Sequence, residues 1–272
     1  MKKPLLFTTA LALAAGSAFA QSTNNTADVH QSGYLNEAAV TQYGSDNIAY
    51  QTQAIGIDGT SEGNLAVIVQ EVASSNNYAE QSQQSYSIGN QAYITQSGSS
   101  NSAYQSQDAI SLDNYASITQ TGSGNDAQQY QSWYSISNSA TITQSGTSNM
   151  AGQEQTDFSA GNEATISQDG ILNEASQQQY YDAYENTASI DQSGMLNYAL
   201  QEQGVGSLNV ISSSQDGLYN YSEQYQQYGD LNVASVSQSG DFNYAGQLQV
   251  GNENNSTITQ SGINNSALSI QQ

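Results

Sequence analysis

Small apolar and polar side chains alternate with a period of two along most of this chain, most regularly between Asn138 and Gln155. In Asn138-x-Ala140-x-Ile142-x-Gln144 the four named side chains share one face of a strand and Ser139, Thr141 and Thr143 take the other, because successive strand residues point to opposite sides. Ser145-Gly146-Thr147-Ser148 follows, with glycine where a tight reversal needs positive φ. Asn149-x-Ala151-x-Gln153-x-Gln155 then resumes the alternation. The spacing predicts a strand, a short arc and a second strand, which together make one rung. A helix would repeat at about 3.6 residues and would not tolerate a glycine in every unit.

The rung recurs. First strands begin at Asn36, Asn64, Asn90, Asn114, Asn138, Asn162, Asn186, Asn209, Asn232 and Asn254, and second strands at Asn47, Asn77, Asn101, Asn125, Asn149, Asn173, Asn197, Asn220, Asn243 and Asn265. Every first strand closes on glutamine, and in nine of the ten rungs a glycine stands two residues later. The exception, the rung with Val72, also has an arc two residues longer. An early strand, Asn25-x-Ala27-x-Val29-x-Gln31, precedes the set and is followed by Gly33 in the arc position. Connectors between rungs, such as Asp108 to Asp113, are mostly six residues and read as loops. A period of 22 to 28 residues marks a stacked-repeat architecture. The expected fold is all-β: a β-solenoid with two strands per rung, a cross-β stack of about ten strand-turn-strand repeats over residues 36–272.

Stacking at about 4.7 to 4.9 Å turns equivalent residues into columns. One inward column contains Val40, Ile68, Ile94, Ile118, Ile142, Ile166, Ile190, Val236 and Ile258, interrupted by Ser213, and alanines face it. So few large apolar groups cannot hold the fold alone. Buried Asn and Gln amides must both donate and accept along the stack, since an unpartnered one would be costly.

The expected ladder residues of the central rungs are Asn90, Ile94, Gln96, Gly98, Asn101, Ala103 and Gln107; Asn114, Ile118, Gln120, Gly122, Asn125, Ala127 and Gln131; Asn138, Ile142, Gln144, Gly146, Asn149, Ala151 and Gln155. They continue as Asn162, Ile166, Gln168, Gly170, Asn173, Ala175 and Gln179, then Asn186, Ile190, Gln192, Gly194, Asn197, Ala199 and Gln203.

Composition adds an address. Lys2 and Lys3, an apolar run from Leu5 to Ala15, and Ala18-Phe19-Ala20 read as a secretory signal peptide over residues 1–20. Residues 21–35 then form an N-terminal segment with the one leading strand. Cleavage after Ala20 removes both lysines, the only basic Lys/Arg residues, so the formal charge goes from −22 to −24. Such a chain is repelled by phosphate backbones, which excludes nucleic-acid binding, and no later apolar run is long enough to insert in a membrane. No cysteine is present for disulfides. One histidine, His30, and no Lys or Arg in the exported part argue against an enzyme, and no cofactor or metal site is expected. Acidic residues are spread along outward columns, as in Glu154 with Glu202 and Glu37 with Glu163. Tyr93, Tyr104, Tyr115, Tyr130, Tyr198 and Tyr244 also point outward.

With these positions in view the chain resembles the curlin-repeat family of bacterial curli fimbriae. The family motif, Gln-x-Gly-x-x-Asn-x-Ala-x-x-x-Gln, is matched by Gln96, Gly98, Asn101, Ala103 and Gln107, and by Gln144, Gly146, Asn149, Ala151 and Gln155. The chain departs from the family pattern where asparagine replaces serine at the rung start, and where Gln105, Gln129 and Gln153 replace an apolar residue. The resemblance implies an extracellular amyloid fibre subunit, most like the major subunit, that polymerises with itself. It also implies a minor nucleator and an outer-membrane secretion pore as partners, and a role in biofilm matrix and adhesion. A rival reading is a soluble ice- or surface-binding solenoid using outward pairs such as Thr141/Thr143 and Thr257/Thr259, an array that Tyr93 and Asp191 interrupt and Val67/Val69 breaks.

Overall fold

The computed structural model describes residues 16–21, 23–54, 61–72 and 74–272. Most of the expected signal peptide, residues 1–15, lies outside the described residues. Among them there is no helix, and the chain winds as a parallel β-solenoid with two sheets of 11 strands. The first sheet begins with β1 (Gly16–Gln21), which crosses the expected cleavage point, and the second with β2 (Thr26–Gln31). The first full rung is β3 (Glu37–Tyr43) and β4 (Ile48–Ala54), and the last is Asn255–Ile263 and Ser266–Gln271. All neighbours are parallel because each connector returns the chain to start the next rung in the same direction.

Register never slips, because a one-residue shift would turn the polar face into the core. Val40 pairs with Ile68, which pairs with Ile94, and the column continues through Ile118, Ile142, Ile166 and Ile190. These side chains are buried, and they pack against the buried alanines Ala49, Ala79, Ala103, Ala127, Ala151, Ala175 and Ala199 of the second sheet. At the rung of Asn209 the sizes are exchanged: Ser213 stands between Ile190 and Val236, while Ile211 occupies the column of Ala188 and Ala234. Ser222 meanwhile interrupts the facing alanines, between Ala199 and Ala245. The apolar core breaks at this level, with Val236, Ala245 and Ile258 forming a separate cluster.

The arcs are more ordered than a connecting turn. The strand Ser139–Thr147 runs on through Gly146, so the arc itself pairs with its neighbours, Gly122 beside Gly146 beside Gly170. Gly146 has φ +101°, and a β-carbon there would lie 2.0 Å from the Gly170 carbonyl oxygen. In the longer arc Ser74 takes over this role, since its carbonyl oxygen lies 1.8 Å from the place a Gly44 β-carbon would occupy. The chain then turns through one left-handed residue before the next asparagine, for example Ser148 at φ 56° and Leu172 at φ 56°.

Two sequence expectations are corrected here. The early strand belongs to the second sheet, β2 pairing with β4, so Gly33 lies in a connector and not in an arc. Its Val29 matches the apolar third position of a first strand, and only the pairing partner shows that it stands in the glutamine column of the second, opposite Gln51. The connectors are also not simple loops. Ser61–Glu62, Ser87–Ile88, Ser111–Leu112 and Ser135–Ile136 form a narrow third ladder, reached through consecutive left-handed residues such as Trp133 and Tyr134. Ile136 and Tyr184 extend it through Ala160.

Candidate functional site: the buried amide ladders

Three glutamine columns run through the interior. In the first, Gln42, Gln70, Gln96, Gln120, Gln144, Gln168, Gln192, Gln215, Gln238 and Gln260 each pass a hydrogen bond from Nε2 to the Oε1 of the next, at 2.8 to 3.0 Å. The second contains the expected Gln107, Gln131, Gln155, Gln179 and Gln203, bonded in the same direction at 2.8 to 2.9 Å. The remaining amide proton goes to backbone: Gln96 Nε2 also reaches the carbonyls of Tyr78 (2.8 Å) and Asn101 (3.2 Å). Each of these side chains thus ties its own rung to the rungs on both sides.

The third column was not among the expected ladder residues. Gln81, Gln105, Gln129, Gln153, Gln177 and Gln201 are buried and bonded head to tail at 2.8 to 3.0 Å. Their second amide proton crosses to the opposite sheet, as Gln105 Nε2 does to Tyr93 O at 3.0 Å and Gln153 Nε2 to Thr141 O at 3.0 Å. The signal was present in the recurrence of glutamine two residues before the closing glutamine in nine of the ten second strands, with Ser269 in the last.

The asparagines work in the opposite sense, accepting from the rung ahead. Asn114 Oδ1 accepts from Asn138 N (2.8 Å) and Asn125 Oδ1 from Asn149 N (3.0 Å). Their amide groups close the corners. Asn149 Nδ2 donates to Ser145 O (2.8 Å) and Gly170 O (3.1 Å) across the arc, and Asn90 Nδ2 donates to Ser87 Oγ (2.8 Å) and Ser111 O (2.7 Å) in the connector. The buried serines Ser61, Ser87, Ser111, Ser135 and Ser159 are therefore part of the framework. Their register was hidden by connectors that vary in sequence.

All of the expected central ladder positions fall in these columns: Asn101, Asn162, Asn173, Asn186 and Asn197 join the asparagines, and Gly98, Gly122, Gly170 and Gly194 the arc column. Outside, the expected tyrosines gather in pairs and stacks. Tyr93 meets Tyr115 at 5.7 Å, and Tyr198, Tyr221 and Tyr244 stack at 4.7 and 5.4 Å. Burial, together with Glu202, pushes the Tyr180 phenol up to about 12, and burial with Glu223 does the same to Tyr225. Asp108, half-buried at a connector, accepts from Gln84 N (2.6 Å), Ser106 Oγ (2.8 Å) and Ser82 Oγ (3.0 Å), while burial holds its carboxyl above the usual carboxylate range. His30 is exposed on β2.

The geometry defines a structural repeat protein whose working part is its own stacked interior. Its two ends are similar to the Curlin associated repeat family, whose model matches residues 23–54 and 229–262. The rungs between reproduce the same columns. No curated protein matches the chain.

Proposed function

We propose that this chain is the polymerising subunit of an extracellular curli-type amyloid fibre that grows end to end and serves biofilm matrix and adhesion. The observation that carries the reading is the run of identical, in-register amide columns along the whole stack, so that the last rung offers the chemistry the first full rung is built to receive. Cross-β assemblies are held by the same combination of continuous backbone pairing and Asn/Gln ladders. In this reading residues 1–20 are removed on export, and a minor nucleator and an outer-membrane pore are the partners that the family resemblance suggests. Purified protein lacking residues 1–20 should then polymerise with a lag that added fibre fragments abolish, and the fibres should diffract at about 4.7 to 4.8 Å along their axis. A dispersed monomer that ignores preformed fibres, or that depresses the freezing point while remaining monomeric, would overturn the reading in favour of a surface-binding solenoid.

A further inference from the structure

The glutamine columns have a direction, and it makes the two ends of the described stack chemically different. Since every Nε2 donates towards the following rung, the first glutamine of a column depends on the rung before it for a donor. Gln42 Oε1 and Gln51 Oε1 are buried and have no partner. The leading rung sets Ala20 in register with Gln42 and Val29 with Gln51, and neither residue type carries a donor. It serves only the remaining column, where Gln31 Nε2 donates to Gln53 Oε1 at 2.6 Å. Every residue of β2 is exposed or only partly buried.

At the opposite end there are donors with bonds to spare. Gln260 Nε2 holds only Tyr244 O (2.8 Å), whereas the interior Gln120 Nε2 holds Ser102 O, Asn125 O and Gln144 Oε1. Gln271 Nε2 holds only Asn255 O at 2.9 Å. The third column ends on hydroxyls: Gln247 Nε2 donates to Ser256 Oγ (3.0 Å) and Ser256 Oγ donates to Ser269 Oγ (2.7 Å), which leaves the Ser269 proton free to pass on.

We propose that β2 is a removable cap, and that the last rung of a second copy displaces it and seats directly on β3 and β4. In that joint Gln260 Nε2 meets Gln42 Oε1, Ser269 Oγ meets Gln51 Oε1 and Gln271 Nε2 meets Gln53 Oε1, so both orphaned oxygens gain donors. Ile258 falls over Val40 and Ala267 over Ala49, which continues the core. The inference rests on the fibre reading and on removal of residues 1–20, which takes all of β1 except Gln21. The first sheet then ends at β3 and the second one rung further out, at β2. A last rung whose two strands end level can close on both sheets only once β2 has left.

The test is seeded elongation of the chain lacking residues 1–20. Val29→Gln gives the cap a donor for Gln51 Oε1 and should slow elongation about three- to tenfold, the worth of one hydrogen bond. Asp28→Pro, a proline in the middle of β2, should speed elongation or leave it unchanged. Ile48, Thr26 and Ser266 share one outward column. A chain with Ile48→Cys and Ser266→Cys should therefore form disulfide-linked oligomers in oxidised fibres, while one with Thr26→Cys and Ser266→Cys should stay unlinked. Linking of the Thr26→Cys pair, slower growth of Asp28→Pro, or unchanged growth of Val29→Gln would overturn the cap. Failure of the unaltered chain to form any fibre would refute the fibre reading, and the joint with it.

Discussion

Replacing Gln144 by alanine tests the claim that buried amides, more than apolar contacts, hold this fold. Gln144 accepts from Gln120 Nε2 at 2.9 Å and donates to Gln168 Oε1 at 2.9 Å and to Asp126 O at 2.9 Å. Loss of the side chain is uneven in its consequences. Gln120 Nε2 keeps the carbonyls of Ser102 (2.8 Å) and Asn125 (3.1 Å), so that donor remains satisfied. Gln168 Oε1 is bonded to no other donor and becomes a buried orphan, at a cost of about 1 to 3 kcal/mol. The bond to Asp126 O adds about 1 kcal/mol, and the void left in a packed interior adds to that. A total of about 3 kcal/mol corresponds to roughly a hundredfold change in equilibrium constant. The unfolded fraction at a fixed guanidinium concentration should rise by that factor, as should the concentration of unfolded chain left in solution at equilibrium with fibres. Gln120→Ala should match it, because the rungs are equivalent, whereas Thr143→Ala on the exposed face of the same strand should change either quantity by less than about threefold. Effects as small at Gln144 and Gln120 as at Thr143 would refute the ladder account.

The same measurements carry further predictions. Gly146→Ala should cost at least as much as Gln144→Ala, because the new β-carbon meets the Gly170 carbonyl oxygen of the next rung and the backbone already has φ +101°. Ser222→Ala should stabilise by about 1 kcal/mol or more, since the buried Ser222 hydroxyl has no partner and its neighbours Ala199 and Ala245 are alanines. At alkaline pH, Tyr78, Tyr180 and Tyr225 should ionise only near pH 12, two units above the ordinary phenol at 10.0. The folded state binds these protons more tightly than the unfolded chain does, so their contribution is intact below about pH 10 and is lost as pH rises towards 12. Tyrosinate absorbance and the β-sheet dichroism should therefore change together, and complete ionisation near pH 10 with the sheets intact would contradict the burial of these rings.

The period-two alternation, the invariant Asn and Gln of each rung and the recurring glycine pointed by themselves to a stacked β-solenoid and to its asparagine, apolar, glycine and closing-glutamine columns. They could do so because in a parallel, in-register stack each residue meets its own equivalent, and so sequence periodicity maps directly onto contact. Where that mapping is ambiguous, only the tertiary structure decided. Asn25 to Gln31 carries the apolar third residue of a first strand, Val29, yet pairing with Ile48–Ala54 placed it in the second sheet. The serines of the connectors vary in their surroundings, and only the bonds from Asn64, Asn90, Asn114 and Asn138 revealed them as a third ladder. Nor does a list of glutamines have a direction: polarity arises when every amide must choose one neighbour as donor and the other as acceptor. That choice leaves oxygens unpaired at Gln42 and Gln51 and donors to spare at Gln260 and Ser269.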